Sequence, residues 1–152
     1  MDTKSLLKKS YKYLSFRARS ESELLEYLSK KTSSKTSITE VIKTLKKQGF
    51  IDDNDFINQY INSYLKKGHG PTKIRFNLLN KGVEKAEINL ELDKISDTEW
   101  LESAKIVISK KRKQLDQLEK FKLKQKIYQL LTYKGHKYST VKAIIDAYPH
   151  LE

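Results

Sequence analysis

Apolar residues recur every three or four positions along almost the whole of this 152-residue chain, the period of helices buried on one face. Nothing alternates with period two for long enough to propose a strand. The breakers sit at the boundaries of the periodic runs. Gly49, Gly68, Gly82 and Gly135 each follow a helix-like run, where left-handed C-caps belong. Pro71 follows Gly70 at a first helical turn, where a missing amide proton costs nothing. Ser20 with Glu23, Ser37 with Glu40 and Ser96 with Glu99 have capping-box spacing. Together these signals predict nine helices, over residues 3–16, 20–31, 37–48, 53–67, 71–81, 84–94, 97–115, 119–134 and 138–148.

The pattern also repeats. Leu24, Leu28 and Thr32 fall on Ile74, Leu78 and Gly82 at an offset of 50, and on Ile127, Leu131 and Gly135 after a further 53. The same offsets carry Ile38, Ile42 and Leu45 onto Ile88, Leu92 and Ile95, then onto Val141, Ile145 and Tyr148. Upstream, Leu7, Tyr11 and Leu14 match Ile57, Ile61 and Tyr64, with no clean third copy. The predicted fold is all-α: three tandem three-helix repeats, at 1–50, 51–96 and 97–152, stacked into an elongated curved array. Each unit is small for an independent core, so the units are expected to lean on one another. Helices of this length would make a rod of roughly 60–75 Å. Trp100, opening the longest helix, is expected to wedge between repeats two and three.

Charge narrows the choice of partner. Lys and Arg number 31 against 19 Asp and Glu, a net +12, with no cysteine. By thirds the balance is 12 against 5 over residues 1–50, 7 against 9 over 51–100 and 12 against 5 over 101–152. Two basic ends around a slightly acidic middle suggest a partner touched at two separated places: nucleic acid, an acidic protein, or a complex of both. A solvated surface accounts for the same lysines. Without cysteine there are no disulfides, thiolate zinc sites or cysteine nucleophiles, which fits a reducing interior. No apolar run is long enough to span a membrane, and Met1 to Lys9 lacks the apolar core of a secretory signal, so a cytoplasmic protein is expected.

No constellation points to catalysis. Asp52, Asp53 and Asp55 read as helix-capping carboxylates, because a calcium loop would need further oxygen ligands and a central glycine. Gly68, Gly70 and Pro71 form a turn without the Gly-Lys-Ser/Thr ending of a P-loop. His69, His136 and His150 are far apart, each near a helix end. His136, between Lys134 and Lys137, is open to contact with phosphate or to solvation in a loop. No nucleophile with a base, metal set or spaced carboxylate pair appears, so no enzyme, cofactor or metal is expected.

The stretch from Phe50 to Val83 resembles the RecX family of bacterial regulators of the RecA recombinase. The likeness is carried by Ile51-Asp52-Asp53 and Phe56, by Gly68-His69-Gly70-Pro71 with Lys73 and Ile74, and by Leu78 and Lys81-Gly82. Tyr13-Leu14, Arg17, Arg19, Ser20, Glu21 and Glu23-Leu24 are similar to the family's opening motif, and Lys126-Ile127 and Lys134-Gly135 to its variable C-terminal part. The resemblance implies a helical-repeat protein that lies in the groove of the RecA filament on single-stranded DNA. There it would restrain ATP hydrolysis, strand exchange and filament growth in DNA repair, recombination and the SOS response. Where the family ends the second helix of repeat one with glycine, this chain has Thr32 and a Ser/Lys-rich segment, so a longer, more mobile loop is expected.

The candidate contacts with the filament or DNA are basic: Arg17 and Arg19 in repeat one, and Lys66, Lys67, Lys73, Arg75 and Lys81 around the Gly-Pro turn of repeat two. In repeat three they are Lys110, Lys111, Arg112, Lys113, Lys122, Lys124, Lys126, Lys134 and Lys137. Arg17 and Arg19 could equally pair with Glu21 or Glu23. Tyr11, Tyr64 and Tyr148 occupy repeat columns and read as core, leaving Tyr60, Tyr133 and Tyr138 as surface stacking groups. A monomer is expected. The alternative is a helical protein acting on free DNA through a major groove, which mildly conflicts with the scatter of its Asn, Gln and Arg residues.

Overall fold

The computed structural model describes residues 2–151, which form nine α-helices and no strand. Repeat one contains α1 (Thr3–Phe16), α2 (Glu21–Ser29) and α3 (Lys35–Lys47). Repeat two contains α4 (Asp53–Leu65), α5 (Pro71–Asn80) and α6 (Lys85–Leu92), and repeat three α7 (Asp97–Leu115), α8 (Lys120–Tyr133) and α9 (Tyr138–Ala147). The capping boxes of Ser20 with Glu23 and Ser96 with Glu99 are formed in full. Ser37 does not cap. The Ser34 hydroxyl takes that role by accepting from the Ser37 amide, and α3 begins two residues earlier than its sequence signal. The four glycines that follow helices all have positive φ.

Three separate apolar clusters result. Leu24, Leu28, Ile38, Val41 and Leu45 centre the first, Ile57, Ile61, Ile74, Leu78 and Ile88 the second, and Ile108, Ile127, Leu131, Val141 and Ile144 the third. The repeat columns at the second helices are therefore core in all three copies. The third helices turn slightly differently from the repeat columns: Val41 and Ile144 are fully buried where Ile42 and Ile145 are only half-buried. In α1 the fully buried residues are Leu6 and Ser10, while Leu7, Tyr11 and Leu14 form the rim. Tyr64 and Tyr148 are rim residues too, packed against their cores without being buried, and Tyr60 packs beside Tyr64 instead of standing free on the surface.

The cores do not fuse. Helix packing is dominated by pairs within a repeat, with α4 against α7 as the substantial pair between repeats. Trp100 makes that link: it rides on α7 yet lies in the second repeat's cluster with Phe56, Ile61 and Leu92, and is 4% exposed. After α2, the loop of residues 30–34 is one residue longer than its counterparts at 81–84 and 134–137, and Thr32 closes onto the Leu28 carbonyl without a left-handed residue. Replacing Trp100 with alanine removes a large buried side chain and the apolar link between two repeats. A loss of about 3–5 kcal/mol in urea unfolding is expected, and an unchanged midpoint would count against this role.

Candidate interaction face at the repeat junctions

Both repeat junctions are built in the same way, from the ends of second helices. At the second junction, the first-turn amides of α5 donate across the boundary: Gly70 N–H to the Lys134 carbonyl at 2.7 Å and Thr72 N–H to the Gly135 carbonyl at 3.0 Å. These are donors that an isolated helix N-terminus leaves unsatisfied, and the acceptors lie at the C-terminal end of α8. At the first junction the Ser20 hydroxyl, which caps α2, donates to the Lys81 carbonyl at the end of α5 at 2.6 Å. Glu21 N–H donates to Asp53 Oδ1 at 2.8 Å, so this aspartate secures repeat one while its neighbour Asp52 caps α4. The helices α8, α5 and α2 thus meet C-terminal end to N-terminal end. A Cβ on Gly82 would strike Ser22, and one on Gly135 would strike the backbone of Lys73, so each glycine permits both its positive φ and the close approach.

This geometry decides where the cations lie. All four arginines are engaged within the molecule. Arg17 donates to both carboxylate oxygens of Glu23 at 2.6 and 3.2 Å, and Arg19 lies 4.1 Å above the Tyr13 ring. Arg75 donates to Asn89 Oδ1 at 2.9 Å, and Arg112 binds the Pro149 carbonyl, Asp116 and the face of Tyr148. The lysines differ: Lys66, Lys67, Lys73, Lys110, Lys111, Lys113, Lys122, Lys124, Lys126, Lys134 and Lys137 make no ion pair with a described carboxylate. Four of them converge on the second junction. Lys67, Lys73 and Lys134 all act on His69, while Lys73 and Lys110 both act on Lys134, whose pKa is lowered first by burial and then by those two charges. The ammonium of Lys73 lies 4.3 Å over the Tyr133 ring, itself 74% exposed. Lys111, Lys113, Lys122 and Lys124 are exposed on α7 and α8, Lys126 is half-buried on α8, and Lys137 is exposed at the start of α9.

An open cleft of about 280 Å³ at the first junction continues this face. Arg17, Tyr60, Tyr64, Lys67 and Lys81 are among the residues lining it. Tyr60 and Tyr64, one turn apart on α4, stack with centroids 4.2 Å apart, and Lys67 caps the Tyr64 ring at 4.6 Å. Burial pushes the Tyr60 hydroxyl up to about 12, so it stays protonated and can donate a hydrogen bond. Glu23 is the carboxylate serving this group. Burial alone would raise its pKa, but the bond from Arg17, the Ser20 amide, and the charges of Arg17 and Lys81 hold it below the usual range.

The two junction histidines were not legible as structural groups. His136 neither meets solvent nor offers itself to phosphate; it is buried, and its Nε2–H donates to the Gly68 carbonyl at 2.8 Å. The carbonyl can only accept, so Nδ1 is the bare nitrogen, buried without a partner. Across the boundary, Ser103 donates to the His69 carbonyl at 2.8 Å, and the His69 ring lies 4.8 Å from Tyr64. Burial, followed by the charges of Lys134, Lys73 and Lys67, pushes His69 down to about 4; burial also lowers His136, against the opposing effect of its bond to Gly68. Among the described residues, no cluster of three or more His, Asp or Glu could hold a metal, and no helix is long and apolar enough to cross a membrane.

Fold and face together define an all-α array of three-helix units with unpaired lysines gathered at its second junction. Residues 52–90 match the second three-helix domain of RecX, and residues 97–145 match the third. The regulatory protein RecX of Clostridium botulinum (strain Eklund 17B / Type B) is 35% identical over 129 residues, covering 84% of this chain and 60% of its own length. The regulatory protein RecX of Bacillus licheniformis is 32% identical over 146 residues, covering 95% of this chain and 56% of its own length. A crystal structure of RecX from Lactobacillus salivarius superposes with a TM-score of 0.87 at 22% identity, covering 99% of this chain and 98% of that one, a likeness of fold. A crystal structure of a regulatory protein RecX gives 0.80 at 26% identity, covering 95% of this chain and 73% of that one. The chain belongs to the RecX family. It spans 60% or less of the length of the curated relatives described here.

The histidines give the junction a pH dependence of defined sign. Because His69 is pushed from the ordinary 6.5 down to about 4, and His136 is lowered in the same direction, the unfolded chain binds more protons below about pH 6.5, so stability is full above that pH and falls as the pH drops from there toward the folded value of His69. Between pH 7 and 5, where histidine is the side chain that ordinarily titrates, the thermal midpoint should fall. In the double variant His69→Gln/His136→Gln it should fall much less. Equal slopes in the two proteins would show that the junction does not hold its imidazoles neutral.

Proposed function

We propose that this chain regulates the RecA recombinase, mainly as an inhibitor, by binding along the groove of the RecA filament on single-stranded DNA. The observation that carries this reading is membership of the RecX family, whose curated relatives are named as regulatory proteins. The physical arrangement suits such a partner. Three units held in line present lysines at successive places, and a periodic acidic filament can engage several weak contacts at once, so avidity exceeds the strength of any one. The chain acts as a monomer in the cytoplasm, without cofactor or chemistry of its own, and modulates the filament's ATPase, strand exchange and growth in DNA repair and recombination.

Free duplex DNA as the target is the competing reading. No observation favours it, since no arginine is left free to read base edges. The experiment is the ATPase rate of RecA on single-stranded DNA as the chain is titrated in at fixed physiological salt. Hydrolysis should fall at amounts well below one chain per recombinase protomer. A rate unchanged up to equimolar chain would contradict the proposal.

A further inference from the structure

We propose that the tyrosine-lined cleft at the first junction and the lysine cluster at the second form one continuous track for single-stranded nucleic acid, which the chain binds directly, without a recombinase. Lys67 makes the track continuous. It lines the cleft with Arg17 and Lys81, and it also belongs to the group of charges that surrounds His69 with Lys73 and Lys134. Between the two ends lies the C-terminal half of α4, where the half-buried Tyr60 and Tyr64 stack in the wall of the cleft.

The ligand class follows from the chemistry. Glu23 is the carboxylate within this set, and it is already held by Arg17 and Lys81, at 2.6 and 3.9 Å. Lys67, Lys73, Lys110 and Lys134 have no described carboxylate to neutralise them, and Lys134 is depressed first by burial and then by the charges of Lys73 and Lys110, so an arriving polyanion relieves repulsion as well as forming contacts. Lysine is a point charge without the planar fork of arginine, which suits repeated phosphates whatever the sequence. An acidic protein segment would satisfy the charges alone. It would leave unexplained the exposed aromatic ring in their midst, Tyr133, with Lys73 over one face. Interleaved cations and aromatic faces are what unpaired bases on a phosphate backbone require. A duplex keeps its bases stacked inside and has no use for that ring.

The test uses the full chain and a 5′-fluorescein-labelled 12-mer of oligodeoxythymidylate, followed by anisotropy from 50 to 200 mM NaCl with no recombinase present, so its outcome is independent of any effect on a filament. The triple variant Lys67→Gln/Lys73→Gln/Lys134→Gln should bind at least tenfold more weakly, and its log–log salt slope should be shallower by about 2, at roughly 0.7 per lost phosphate contact on a single strand. Tyr133→Ala, at a largely exposed position that folding does not need, should weaken binding several-fold while leaving the salt slope unchanged. Lys8→Gln/Lys9→Gln, at two exposed positions of α1, should stay within twofold of the parent. The proposal is overturned if that control pair loses as much as the triple variant, if Tyr133→Ala binds like the parent, if poly-L-glutamate of equal charge displaces the strand as well as unlabelled strand does, or if the parent gives no anisotropy change at 50 mM NaCl.

Discussion

The molecule depends on one interaction, the docking of a helix C-terminus onto the N-terminus of another from the preceding repeat. A helix leaves amides unsatisfied at one end and carbonyls at the other. Here α8 supplies the carbonyls of Lys134 and Gly135 to the amides of Gly70 and Thr72, and α5 supplies the carbonyl of Lys81 to the hydroxyl that caps α2. Each bond contributes about 0.5–1.5 kcal/mol net, but leaving these buried groups without partners would cost more. The geometry is therefore strongly preferred once the repeats approach. Because the three apolar clusters stay separate, these polar contacts, with Trp100, set how the repeats sit on one another.

The docking also explains the surface. Bringing the end of α8 against the start of α5 places Lys134 beside Lys73 and draws Lys67 and Lys110 into the same field. Repeat two is balanced in charge, with seven basic and seven acidic residues over 51–96, yet its carboxylates gather at the start of α4 and around α6 while Lys66, Lys67, Lys73 and Lys81 lie toward the ends of α4 and α5 that face the junctions. A count by thirds averages this separation away. The arginines, which could have paired with a partner's phosphates or carboxylates, are held by Glu23, Tyr13, Asn89 and the C-terminal segment, leaving an outward charge made of lysine.

Much of the fold was legible in the residues because helices announce their buried face and their ends locally. The spacing of Leu24, Leu28, Ile74, Leu78, Ile127 and Leu131 and the capping chemistry of Ser20 and Ser96 depend only on near neighbours. What was not legible depends on contacts between repeats. Asp53 looks like any first-turn aspartate, and only the fold brings the Glu21 amide to it. Glu91 occupies the buried column of Val41 and Ile144, a position periodicity would assign to an apolar residue, and is satisfied by Asn54 and Lys94. His136 reads as a loop residue until Gly68, 68 positions earlier, supplies its acceptor. Thr32 departs from the glycine of the other two repeats at the one second-helix end that docks onto no other described helix, so nothing there requires a missing Cβ.

The central claim is that helix-end docking, and not a shared apolar core, fixes the second junction. Gly70→Ala tests it most directly. Gly70 has an ordinary negative φ, so alanine brings no backbone strain, yet its Cβ would run into the backbone of Gly135 and His136. The measurement is hydrogen exchange of the Thr72 amide, whose acceptor lies across the junction, compared with amides in the middle of α5. If docking governs, Thr72 loses its protection in the variant while the interior of α5 keeps its own and repeat two stays folded. If Thr72 exchanges as slowly in the variant as in the parent, the repeats are held by something else and the account is wrong.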